Sequence, residues 1–267
     1  MIPIQLYLDL LKKTVAFSLW EQPPIPIMTL NYTRSPLRAR IFSTLDKLLA
    51  KKRMVLTQYP PVGNLIEANH WYTDSMIGVT RLDNLQYCVE TVLGDRIEGD
   101  LIETGVWRGG ACILMKAVLV AYDVKDRKVF VADSFRGLPK PEWPQDAGDR
   151  LYVVPFLAVS QEEVEQNFRK YGLLDNQVVF LKGWFKDTLP TAPIRKLAVL
   201  RLDGDMYGST MDSLNSLYHK LSSGGFCIID DYGLLGCKQA VDDFRAENGV
   251  VEEMKVIDWT GRFWRKA

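Results

Sequence analysis

Histidine is almost missing from this 267-residue chain, which has only His70 and His219, so a histidine-built metal centre or a two-histidine proton relay is not expected. Cysteine is also scarce. Cys88, Cys112, Cys227 and Cys237 lie far apart with no C-x-x-C pair, which argues against a disulfide frame or a zinc site and for reduced, packed thiols in a cytoplasmic protein. Neither sign of charge is in excess. With 33 Lys plus Arg against 33 Asp plus Glu, no broad positive field exists to condense on a polynucleotide, and a nucleic-acid partner is not expected. No stretch reaches the roughly 18 consecutive apolar residues that would span a bilayer. No internal repeat or low-complexity segment is present either.

The first residues, "MIPIQLYLDLLKKTVAFSLW", are apolar but broken by Asp9, Lys12 and Lys13, and they carry no basic lead or small-residue cleavage site. They predict an amphipathic helix that packs on the body of the protein or on a second copy, with membrane-surface docking as the alternative. Residues 1–75 show no alternation of strand and helix. With the basic patch at Lys51 to Arg53 and the "YPPV" at Tyr59 to Val62, they predict a helical and loop extension. From residue 76 the pattern changes. "GDLIETGV", "KVFVADSF", "VVFLKGWF", "KLAVLRLDGD" and "GGFCIIDDYG" are short apolar runs of the kind that form strands buried on both faces. Segments with helical spacing lie between them. Ser160 with Glu163 forms a capping-box signature, and Gly172, Gly224 and Gly249 stand where helix C-terminal glycines are expected. Alternation of this kind predicts a mostly parallel α/β sheet, and the tight turn at Thr260 and Gly261 predicts an antiparallel final pair.

Ligands of such sheets bind beyond the carboxyl ends of the strands. The first strand runs into "ETGVWRGG", whose glycines permit close approach of a nucleotide, although the spacing is not that of dinucleotide folds and ordinary turns share it. Glu103 disfavours a pyrophosphate at this helix start and favours a ligand with ammonium and sulfonium charges, which S-adenosylmethionine has. Asp133 ends the second strand where an acid accepts ribose hydroxyls, or caps its own loop. Trp184 and Phe185, after Gly183, stand ready to stack on adenine, or belong to the core.

The fourth and fifth runs end in Asp203 with Asp205 and in Asp230 with Asp231. Four carboxylates on adjacent strand ends repel one another unless neutralised, and a divalent cation with oxygen ligands is one resolution. The other is that Asp205 and Asp231 merely cap the turns that follow. A cationic methyl donor beside a divalent metal suggests methylation of a hydroxyl, since a metal lowers the pKa of an oxygen that it holds.

Together "ETGVWRGG", "VADSFRGLPKP", "LKGWFKDTLP", "LRLDGDMYGST" and "IIDDYG" resemble the macrocin O-methyltransferase (TylF-type) family of sugar O-methyltransferases, over about Asp74 to the C-terminus. The resemblance implies a class I methyltransferase sheet with an antiparallel last strand. It also implies dependence on S-adenosylmethionine and Mg²⁺, and a glycosylated small-molecule acceptor. It implies Asp203, Asp230 and Asp231 as metal ligands and Asp205 as general base. Other members use a histidine just after the metal-binding aspartate, where this sequence has Met206 and Tyr207. Cofactor contacts are implied at Met76, Ile77, Glu103, Thr104, Gly105, Arg108, Gly109, Gly110, Asp133, Ser134, Phe135, Gly183, Trp184 and Phe185. Residues 1–75 would form an extension, as a lid or oligomerisation element, to a methyltransferase domain at 76–267, in a homodimer or larger homo-oligomer. "RGLPKPEWPQDAGD" is expected to form part of a mobile lid or, failing that, an ordered surface loop.

Overall fold

The computed structural model describes residues 3–20, 25–26, 36–58 and 72–267; Tyr59 to Val62 and His70 lie outside the described residues. The first helix, α1 (Pro3–Val15), is amphipathic as expected. Leu8, Leu11 and Val15 are buried, while Leu6 and Leu10 face outward. A two-residue strand β1 (Ile25–Pro26) pairs antiparallel with β2 (Thr57–Gln58), and helix α2 (Pro36–Ala50) lies between them in the chain.

The main body then alternates: α3 (Gly78–Gly94), β3 (Asp100–Thr104), α4 (Gly110–Ala121), β4 (Val129–Asp133), α5 (Gln161–Lys170), β5 (Val178–Lys182), α6 (Phe185–Thr188), β6 (Leu197–Leu202), α7 (Tyr207–Leu217), β7 (Leu221–Ile229), α8 (Leu235–Glu247), β8 (Lys255–Val256) and β9 (Arg262–Arg265). Seven strands form one sheet in the order β5-β4-β3-β6-β7-β9-β8. Strands β3 to β7 run parallel. β9 is antiparallel to both β7 and β8, the arrangement that the turn at Thr260 predicts. Asp258 fixes that turn by accepting from the backbone N–H groups of Thr260 and Gly261.

Burial on both faces explains the unbroken apolar strands. One face packs Leu101, Val131, Val199 and Ile228 against α1, α3 and α4, so the N-terminal helix shares the core of the sheet. The other face packs Ile102, Leu200, Leu202 and Ile229 against α7 and α8. The chain leaves β3 toward β4 and β5 on one side and returns to β6 on the other, so the strand order reverses between β3 and β6. A crevice opens at that point beyond the carboxyl ends.

Three expected helix ends are met. Ser160 Oγ accepts from Glu163 N at 3.2 Å, and Gly172 and Gly249 follow their helices at positive φ. Gly224 is a correction, because α7 ends earlier, at Leu217, and β7 already begins at Leu221. The pairing steps from Leu197↔Leu221 to Val199↔Phe226, so the extra residues around Gly224 form a bulge within the strand. At Gly224 φ is +82°, a conformation that glycine supplies at little cost.

Candidate functional site

The carboxyl ends of β3, β4, β5 and β6 border an open cleft of about 1170 Å³, counting the solvent at its mouth. Its wall includes Met76, Gly105, Asp133, Ser134, Gly183, Trp184, Phe185, Asp203 and Asp205 among the residues expected from the sequence. A smaller recess is lined by Met76, Ile77, Glu103, Gly110 and Asp203. Between them the two spaces gather residues from six segments of the chain at the strand-order reversal.

Strand alternation decides which acids face each other. Glu103 stands in register with Arg201, and Arg201 with Ile228, so Glu103, Arg201 and, two residues further along each strand, Asp203 and Asp230 share a sheet face. Arg201 is 1% exposed and is the centre of the cluster. Its guanidinium donates to Glu103 and Asp230, and to Asp203 Oδ2 at 2.8 Å. From α3, Arg81 donates to the other oxygen of Asp230 and reaches Asp258 Oδ2 at 2.7 Å. Thr260 Oγ1 also donates to the Asp230 carbonyl at 3.1 Å, so the final turn is tied to the same corner.

These two arginines are what the sequence argument left out. An arginine inside the run "VLRLD", opposite Glu103, was the available signal, because a lone charge in a buried strand requires partners. The finding changes the charge argument made from Glu103, whose carboxylate is committed to Arg201 and to the Cys112 thiol rather than standing free. It does not neutralise the site. The two guanidinium groups pair with Glu103, Asp203 and Asp230, and one of them also with Asp258, while Asp205 and Asp231 pair with neither. Burial, opposed by Arg201, pushes Glu103 up to about 7. Burial, with Asp203 and Asp230 nearby, pushes Asp205 up to about 7. Asp230 is raised to about 6 by burial against the pull of Arg201, and Asp231 is raised well above the ordinary carboxylate range by burial and by Asp205.

One carboxylate oxygen from each of Asp203, Asp230 and Asp231 lies within 4.8 Å of the others. An all-oxygen set carrying more negative charge than its neighbours compensate fits a hard divalent cation such as Mg²⁺ or Mn²⁺. Asp205 lies beside this set at φ +56°, a left-handed conformation uncommon for aspartate, and its N–H donates to Asp231 Oδ2 at 3.2 Å. Among the described residues no histidine stands next to the set. Met206 is buried at the start of α7, and His219 is in the turn beyond its far end.

The glycine-rich turn is shaped first by the protein itself. Gly105 has φ +89°, and a Cβ there would overlap the Asp203 carbonyl; at Gly109, φ is +86° and a Cβ would meet Val164 Cγ1 at 2.8 Å. Gly110 is pressed against Asp74 and Ser75. Asp133 links two loops, accepting from Val106 N at 2.8 Å and Phe135 N at 2.7 Å, so the loop-capping role is observed. Ser134 Oγ donates to the Gly137 carbonyl at 2.6 Å.

Four expected residues point elsewhere. Phe135 is in the core against Phe180, and Arg108 Nη1 donates to the Thr73 carbonyl at 2.9 Å. Thr104 is fully buried, with a hydroxyl that lacks a partner among the described residues, and Gly109 packs on α5. Trp184 and Phe185 line the cleft, and Phe185 also touches the core beneath α7.

A family model described as Macrocin-O-methyltransferase (TylF) matches residues 4–266. The chain is 47% identical to the demethyldecarbamoylnovobiocin O-methyltransferase of Streptomyces niveus, covering 98% of this chain and 94% of that protein. It is 44% identical to the mycinamicin III 3''-O-methyltransferase of Micromonospora griseorubida, covering 99% and 97%. Among solved structures, the O-methyltransferase NovP superposes with a TM-score of 0.80 at 45% identity, covering 99% of both chains. The calicheamicin methyltransferase CalS11, at 18% identity and a TM-score of 0.59 over 92% of this chain and 99% of that one, shares the fold. Sheet order, rim chemistry and whole-length similarity agree: the chain belongs to the macrocin O-methyltransferase (TylF) family and is an O-methyltransferase.

Proposed function

We propose that this enzyme methylates a sugar hydroxyl of a glycosylated natural product, with S-adenosylmethionine as donor and Mg²⁺ at Asp203, Asp230 and Asp231. The convergence of those three carboxylates beside Asp205 at the cleft carries the proposal. The acceptor class is taken from relatives named for antibiotic acceptors, among them a rhamnosyl-tetracenomycin C 4'-O-methyltransferase of Streptomyces olivaceus that is 47% identical.

The ion supplies Lewis acidity that makes an alcohol easier to deprotonate. The protein's own groups do the rest. Asp205 takes the hydroxyl proton, because its carboxylate is in the wall of the cleft beside the three proposed ligands. Arg201 and Arg81 fix Asp230 and keep the remaining acids from repelling one another apart. Met76, Ile77, Glu103 and Gly110 wall the recess assigned to the methionine part of the donor. Gly105, Asp133 and Ser134 line the cleft where they would hold its ribose, and Gly183, Trp184 and Phe185 where they would hold its adenine. Thr104, Arg108, Gly109 and Phe135 support these loops from behind.

We further assign residues 76–267 to the methyltransferase domain and 1–75 to an extension whose first helix docks on it. The outward apolar side chains of α1, such as Leu6 and Leu10, support self-association into a homodimer or larger assembly. Four buried, unpaired cysteines support a reducing, cytoplasmic setting. Among the described residues no helix is long and apolar enough to cross a membrane.

Mass-spectrometric product screening tests the whole proposal, with deoxysugar-bearing metabolites and catechols as acceptors, in Mg²⁺ and in excess chelator. The expected result is a singly methylated sugar product that disappears on chelation, with donor binding retained in Asp203→Ala. Undiminished turnover in chelator, or turnover on catechols alone, rejects it.

A further inference from the structure

Helix α7 begins immediately after the Asp203–Asp205 turn, and its own sequence does not cap it. Met206 occupies the N-cap position with no side-chain hydrogen bond. The first amides of a helix have no partner within it and must find one elsewhere. Here the partner comes from a distant segment. Asp146 Oδ1 accepts from Tyr207 N at 2.7 Å and Oδ2 accepts from Gly208 N at 3.0 Å.

Asp146 is 5% exposed and ends the Pro144–Asp146 turn of the proline-rich segment that forms one wall of the cleft through Leu138, Pro139, Trp143 and Leu157. Space has been cleared for this docking. A Cβ at Gly208 would meet the Trp143 indole Cδ1 at 2.7 Å, and one at Gly236 in α8 would meet Asp146 Oδ1 at 3.0 Å. The Trp143 ring rests on Tyr207 with centroids 5.5 Å apart. A second contact closes the outer edge, where Lys186 of α6 reaches Glu142 at 2.8 Å. That outer pair is solvent-exposed and contributes little; the inner carboxylate is buried and charge-assisted.

We infer that Asp146 is a positioning residue: its two hydrogen bonds latch the segment 136–158 over the cleft and, in the same contact, hold the start of α7 that places Asp205. Closure of the cleft wall and placement of the base are thus one event. The backbone at Asp205 is in a left-handed conformation, and the latch, one residue beyond Met206, helps to hold it together with the Asp205 N–H bond to Asp231. The inference rests on the assignment of Asp205 as base.

Asp146→Ala and Asp146→Asn test it through three measurements: steady-state kinetics, donor binding by calorimetry, and hydrogen exchange resolved by peptide. In Asp146→Ala, kcat with the acceptor is expected to fall roughly tenfold or more, the scale of a lost helix cap expressed in the rate. Donor affinity is expected to fall less than kcat, because the recess assigned to the methionine part of the donor includes no residue of 136–158. Exchange should accelerate together in 136–158 and 203–210. Asp146→Asn keeps one acceptor oxygen and should fall between wild type and alanine, and it serves alone if the alanine variant does not fold. Faster exchange in both segments with full kcat overturns the positioning role. A loss of kcat with exchange unchanged, or accelerated in one segment only, overturns the latch. If Asp205→Asn retains turnover, the base assignment fails, and the paired exchange result still decides the latch.

Discussion

Replacing Asp205 with asparagine should make the metal-free protein more stable while destroying its activity. In the folded chain Asp205 is moved from its ordinary 3.8 up to about 7, by burial and by Asp203 and Asp230. Ionising a lone carboxyl so displaced costs the folded state about 4 kcal/mol. Asp205, Asp230 and Asp231 shed protons as a set, so removing one charge recovers only part of this, about 1–4 kcal/mol. The sign follows from proton counting. The native state holds this proton at pH values where the unfolded chain has already lost it, so wild-type stability falls as pH rises from 3.8 to about 7. Asparagine has no such proton, and it also accepts the left-handed backbone at position 205 more readily. Urea unfolding in excess chelator should therefore show the variant more stable by about 1–4 kcal/mol at about pH 8, with the gap closing toward about pH 4. Mg²⁺ should narrow the gap at the higher pH, because a bound cation removes the repulsion that the substitution relieves. Turnover should drop by roughly 10²–10⁴. A variant of equal or lower stability in chelator at about pH 8 refutes the charge-repulsion argument, whatever happens to the rate.

Two further substitutions probe the frame around the acids. Arg201→Met strips the buried counter-charge from Glu103, Asp203 and Asp230 and should cost about 3–5 kcal/mol in thermal or urea unfolding. Adding Glu103→Gln should return part of that loss, and strict additivity of the two changes would contradict the shared network. Gly105→Ala drives a Cβ into the Asp203 carbonyl at φ +89°, so it should lower stability by about 1–3 kcal/mol and weaken donor binding in calorimetry; an alanine variant indistinguishable from wild type in both would show that the β3–β6 approach is not tight.

Much of the fold can be read directly from the sequence, because strands buried on both faces are unbroken apolar runs and their ends are marked by acids. Asp203 and Asp230 lie just past the last ladder residues Leu202 and Ile229, as such runs predict. The misplaced start of β7 has a local cause. "SSGG" reads as a helix end, and only the pairing of Leu221 with Leu197 shows that the glycines form a bulge. The site was legible as a set of acids but not as a network. Arg201 sits in an apolar run where its pairing to Glu103 depends on a register between strands 98 residues apart in sequence. Gly105 and Gly109 suggest a ligand turn, yet their need for glycine comes from Asp203 and Val164, contacts that no local spacing encodes. Asp146 was hidden for the same reason, as it caps a helix 61 residues downstream.

The sharpest single measurement is anomalous diffraction from a crystal soaked in Mn²⁺, a scatterer that accepts the same oxygen ligands as Mg²⁺. One peak is expected between Asp203, Asp230 and Asp231, with Arg201 and Arg81 still donating to Asp230. Its absence under saturating Mn²⁺, with those aspartates contacting only the arginines and backbone amides, would contradict a metal-assisted methyl transfer at this rim.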